Sequence, residues 1–144
     1  YIGMTTPKGA TTIAKMSALI RRNDMNGALQ MLQAFLATVP YCNNADSEGH
    51  YQQMMYVIFS ILDNYVDVEV RTPSGRVDMV LRTATHLYLF ELKLNKDAAA
   101  AMKQIDLKEY PKRFALSGLP IVKVGVNFDV ASHNITDWKI ETYT

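Results

Sequence analysis

Apolar residues recur at two different intervals along this chain, and the change of interval marks its layout. From Ile13 onward the interval is three and four. Ile13, Met16 and Ile20 share one stripe, and Ala28, Leu29, Leu32, Phe35 and Leu36 share another. That spacing predicts two amphipathic helices. Asn23-Asp24 combines a turn with a helix start near Asn26, and Pro40 closes the pair. Residues 1–9 read as a lead-in. A third helix is expected from about Ser47, a good N-cap, to Asn64. Its inward stripe is Tyr51, Met55, Ile58 and Leu62, with Phe59 beside it and Glu48 at its start.

Beyond Asn64 the interval shortens to two. Tyr65 to Thr72 is a strand rich in β-branched residues, and Pro73-Ser74-Gly75 is a turn. Gly75 to Thr83 and Leu87 to Leu94 form a hairpin turning about Ala84 and Thr85. Asn95, Lys96 and Asp97 start a further helix, Ala98 to about Phe114, which carries Met102, Ile105 and Glu109 along one side. Leu116 to Pro120 stops it. Ile121 to Phe128 reads as a buried strand and Ile135 to Thr142 as an edge strand. The order α-α-α-β-β-β-α-β-β predicts an α/β fold, with a mixed central sheet flanked by helices and an N-terminal helical hairpin. Residues 1–44 hold the lead-in and hairpin, and 45–144 the α/β core, within one compact domain.

Composition narrows the class. With 144 residues, 49% hydrophobic and 20% charged, the chain suits a single soluble domain with a substantial core. A net charge of +1 neither demands nor forbids a polyanionic partner, so any nucleic-acid surface must be a local patch. The apolar run Met54 to Leu62 is far too short to span a bilayer. No basic-then-apolar signal opens the chain, and a first residue of Tyr1 suggests a fragment of a longer protein. Cys42 alone excludes an internal disulfide and fits a reducing, cytoplasmic setting.

The hairpin carries the candidate chemistry. A turn about Ala84 and Thr85 sets Asp78 opposite Glu91 and Arg76 opposite Lys93. Facing residues have Cβ atoms roughly 4.5–5.5 Å apart, where like charges repel. Glu91 and Lys93, two apart, share a side of their strand. Two readings of these four charges stand side by side. One is a solvent-exposed ladder pairing Arg76 with Glu91 and Asp78 with Lys93, worth roughly 0–1 kcal/mol per pair. The other is a divalent-cation site, Mg2+ or Mn2+, held by Asp78, Glu91 and the carbonyl of Leu92, with Lys93 orienting the attacking water.

Other residues are candidates around that centre. Glu48 completes a metal shell or simply complements its helix dipole. Gln104 is an amide that could orient the water, and Lys108, one turn on, a phosphate contact; both are also ordinary helix-surface residues. His50, His86 and His133 show no zinc spacing, and Cys42 lacks the context of a nucleophile. A DNA-reading helix-turn-helix using Arg21 and Arg22 is a lesser alternative, because the second helix has no basic face.

Glu48, Asp78, Glu91-Leu92-Lys93 and Gln104, on a helix, second strand, third strand and following helix, resemble the PD-(D/E)xK nuclease superfamily. The similarity covers about residues 45–144. Val77 stands where the family name has proline. The segments Glu48 to Tyr51, Gly75 to Asp78, Phe90 to Lys93, Gln104 to Tyr110, Val124 to Phe128 and Ile135 to Trp138 look like the nuclease-like C-terminal domain of bacterial AAA-ATPase-like proteins. The resemblance implies a restriction-endonuclease-like core and Mg2+-dependent cleavage of nucleic acid, DNA foremost. It adds Tyr51, Arg76 and Tyr110 to Lys108 as substrate contacts and an ATPase domain of the same protein as partner. A non-catalytic module serving that ATPase is the competing expectation. No Gly-x-x-x-x-Gly-Lys-Ser/Thr phosphate loop occurs in these residues.

Overall fold

Proline has the fixed φ and missing N–H that suit a first helical turn, and in the computed structural model α1 (Pro7–Arg21) starts on Pro7. The expected lead-in therefore surrenders its last three residues to the helix. The structure describes residues 7–38, 48–71, 76–94, 98–107, 118–129 and 131–142, with side chains at 11–38, 54–70, 77–93, 99–103, 105, 118–129 and 131–142. Helix α2 (Met25–Thr38) follows a tight reversal. Asp24 Oδ1 caps it by accepting from Gly27 N at 3.0 Å. A Cβ at Gly27 would lie 2.5 Å from that carboxylate, so a larger residue there would require the cap to shift. Asn23 takes φ 60°, a left-handed conformation asparagine tolerates, and its Oδ1 accepts a hydrogen bond from the Tyr88 hydroxyl.

Helix α3 (Glu48–Leu62) leads to β1 (Asp67–Arg71), then β2 (Arg76–Arg82), β3 (Leu87–Leu94), α4 (Ala98–Leu107), β4 (Ile121–Asp129) and β5 (Asn134–Thr142). The element order is the expected one. Strand β1 starts two residues later than its composition suggests. Tyr65 N and Val66 N still donate to Leu62 O, at 2.9 and 3.2 Å, so the end of α3 holds them in a turn. Asp63 Oδ1 then accepts from Val68 N at 3.0 Å and launches the strand.

The five strands lie in sequence order, β1-β2-β3-β4-β5. All neighbours are antiparallel except β3 and β4, which α4 connects as a parallel pair. Thr83 fixes the hairpin tip: its Oγ1 accepts from His86 N at 3.0 Å and Thr85 N at 3.3 Å, while its own N–H donates to His86 O at 2.9 Å.

Alternation divides each strand between two faces. Val77, Met79, Leu81, Tyr88, Phe90, Leu92, Val124, Val126 and Phe128 join the buried side chains of α1, α2 and α3 in one cluster. Phe59 meets Phe90 edge-on there, with ring centroids 5.3 Å apart. Leu87, Leu89 and Ile121 point the other way and pack with Met102 and Ile105 of α4. Helix α2 is tied to the edge strand β5 by Gln33 Nε2 to Ile135 O (2.9 Å), Asn134 Nδ2 to Gln33 O (3.0 Å) and Trp138 Nε1 to Asn26 Oδ1 (2.9 Å).

Candidate metal and active site

The α4 face changes character along the strands. At one end it is Leu87 beside Ile121, and one step on it is Val80 beside Leu89. The next row across the sheet reads Arg71, Asp78, Glu91, Gly125, Lys139, and the row after it Arg76, Lys93, Asn127, Asp137. Those first two rows have charge only beside their apolar centre, Arg82 next to Leu87 and Lys123 next to Leu89, whereas in the next two rows the centre itself is charged. The hairpin register pairs Asp78 with Glu91 and Arg76 with Lys93, as the turn position predicts.

Burial separates the two readings of these charges. Asp78 is 6% exposed and Glu91 0%, so they are not rungs of a solvent-exposed ladder. Holding two facing carboxylates out of water is costly unless cations or donors compensate. Both residues take part in further polar interactions. Even so, one oxygen of each, Asp78 Oδ1 and Glu91 Oε2, is buried and accepts no hydrogen bond among the described residues. Hard carboxylate oxygens are the ligand type that a magnesium-like ion takes. Lys93 is half-buried on the same face, one step toward the end of β3.

Leu92 lies between them with its side chain in the opposite core, 0% exposed, so its main-chain carbonyl is the part a cation could use. No group of three His, Cys, Asp or Glu side chains that could hold a metal occurs among the described residues. Glu48 is the first residue of α3 and Gln104 lies within α4, but their side chains fall outside the described set, as do those of Tyr51 and Arg76. Lys108 and Tyr110 lie outside the described residues altogether.

The structure adds Asn127, which spacing alone did not single out as a site residue. It sits beside Lys93 on the α4 face, 6% exposed, with Nδ2 donating to Thr136 Oγ1 at 2.9 Å. The β4–β5 register shifts between Asn127 and Phe128, a local irregularity of the kind that re-aims side chains. The available signal was an amide interrupting the apolar run Ile121 to Phe128. Gly125, next to Glu91, contributes no side chain to that row.

Comparison with known proteins agrees with this geometry. A family model described as the PD-(D/E)XK nuclease superfamily matches residues 46–138, and the chain belongs to that superfamily. It is also similar to a curated protein of Azotobacter chroococcum mcd 1 described as "Uncharacterized protein in vnfD 5'region", with 34% identity over 131 residues. The match covers 86% of this chain and 25% of that relative, so the chain spans about a quarter of the relative's length. No solved structure matches the chain.

Proposed function

We propose that this protein hydrolyses phosphodiester bonds of nucleic acid, DNA foremost, with a divalent cation, Mg2+ or Mn2+, at Asp78 and Glu91. The observation that carries the reading is the pair of buried carboxylates facing one another on one side of the β2–β3 hairpin, with Lys93 alongside. Superfamily membership supports it.

Asp78 and Glu91 would hold the cation, with the Leu92 carbonyl and Glu48 as further oxygen donors. When bound, such a cation polarises the phosphate and lowers the pKa of water. Lys93 orients the attacking water and offsets charge developing on the phosphoryl oxygens. Gln104 orients the same water from α4. Lys108, Tyr110, Tyr51 and Arg76 hold the flanking backbone and bases. The proposed setting is the cytoplasm, attached to an AAA-ATPase-like portion of a longer polypeptide, as the motif resemblance implies. No helix among the described residues is long and apolar enough to cross a membrane.

Calorimetric titration with Mg2+ and Mn2+ tests the site. Binding heat is expected for the wild type and its loss for Asp78→Ala; equal, negligible heats would remove the metal. Plasmid and oligonucleotide cleavage, with Lys93→Ala as control, tests the reaction. Metal binding without cleavage would instead favour a non-catalytic module of the attached ATPase.

A further inference from the structure

A second surface lies on the far side of the sheet from the carboxylates, where α1 and α2 turn outward. Lys15, Ala18 and Leu19 share one side of α1, and Arg22, three positions on, follows directly after its last residue. With Arg21 and Met31 they line an open groove of about 500 Å³. The groove has a graded chemistry. Ala18, Leu19 and Met31 form a partly exposed aliphatic floor continuous with the core, and Lys15, Arg21 and Arg22 stand exposed around it.

Among the described residues, no acidic side chain lines it. The nearest in sequence, Asp24, is committed to capping α2. Residues 1–44 carry Lys8, Lys15, Arg21 and Arg22 against Asp24 alone, so this segment is cationic within a chain of net charge +1. Arg21 is steadied by donating from Nη1 to Tyr65 O at 3.1 Å.

We infer that this groove docks an acidic amphipathic helix of a partner protein. The seven steps from Lys15 to Arg22, just past the end of α1, rise about 10 Å, two helical turns. A partner helix with Leu or Ile at its centre and Asp or Glu one turn to either side would seat its apolar residues on Leu19 and Met31. Its carboxylates would then face Lys15 and Arg22, the helix-in-groove mode of recognition. A nucleic-acid strand fits less well. The basic rim could meet phosphates, but no aromatic residue among the described ones lines the groove to stack a base, and its aliphatic floor would go unused. The surface is separate from Asp78 and Glu91, so it stands whether or not the protein cleaves nucleic acid.

The test uses a synthetic helical peptide of about 15 residues, long enough for marginal helicity. It carries a central Leu pair with Glu one turn on each side. A second peptide has Lys in place of Glu, and a duplex oligonucleotide is the third probe. The Glu peptide is expected to shift the NMR resonances of Leu19 and Met31. The exposed double change Lys15→Glu with Arg22→Glu should weaken it roughly tenfold or more, with melting unchanged. The same reversed protein should gain binding to the Lys peptide. Absence of binding by the Glu peptide, binding indifferent to the reversal, or preferential shifts of Leu19 and Met31 by the oligonucleotide would each overturn the proposal.

Discussion

The two faces of the central sheet are built from the same strands and do opposite work. Toward α1, α2 and α3, every inward position of β2 and β3 whose side chain is described is apolar: Val77, Met79, Leu81, Tyr88, Phe90 and Leu92. Toward α4, the apolar positions stop at Val80 and Leu89, and Asp78, Glu91, Lys93 and Asn127 follow. One face is optimised for burial. The other holds like charges where burial makes them expensive, an arrangement that costs stability. Adjacent residues therefore differ in what their loss should do.

The sharpest break in that contrast comes from Asp78→Asn, which keeps the shape and removes the charge. Cleavage and metal-induced stabilisation should fall together, the first on the order of 10³-fold. Metal-free melting should rise, because one of two facing carboxylates is neutral. A metal-free melting temperature that falls sharply would show that the pair is structural. Phe90→Ala, one residue from Glu91 but on the other face, should do the reverse. Chemical denaturation should register a loss of about 3–5 kcal/mol, while calorimetric metal affinity of the folded protein stays near wild type.

Lys93→Ala comes next, with cleavage reduced roughly 10²-fold and metal binding preserved, since the lysine supplies charge and no ligand. A loss of metal binding instead would reassign Lys93 to holding the site together. The smallest effect concerns Tyr88→Phe, which deletes the hydrogen bond to Asn23 for about 1 kcal/mol. Burial pushes the Tyr88 hydroxyl up to about 12. A phenol whose folded-state pKa exceeds its ordinary value of about 10 contributes stability that is complete below that value. The contribution disappears as pH climbs toward 12. Denaturation midpoints measured from pH 9 upward should decline less steeply in Tyr88→Phe than in wild type, and parallel declines would exclude this tyrosine as the cause.

Local rules made the hairpin legible. A period of two and a turn at Ala84-Thr85 suffice to oppose Asp78 and Glu91, because both are short-range properties of one continuous segment. Superfamily membership was legible too, through Asp78 and Glu91-Leu92-Lys93 in their strand order. What the sequence concealed depends on distant pairing. Asn127 meets Lys93 only because β4 lies parallel to β3 after the α4 crossover, and no periodicity encodes which residues then align. The start of β1 was missed for another reason: hydrogen bonds back to Leu62 override the strand propensity of Tyr65 and Val66.

The connection from Thr83 to His86 carries a constraint that the exposure of Ala84 and Thr85 would not suggest. The Thr83 hydroxyl fastens the amides of Thr85 and His86, and every residue of β3 inherits its orientation from the loop's length. An added or deleted residue there would rotate β3 by half a turn, sending Phe90 and Leu92 outward and Glu91 into the aliphatic interior. Substitution of the exposed Ala84 should be tolerated while the loop's length is not, so the core and the carboxylate pair would be lost together on a single codon insertion.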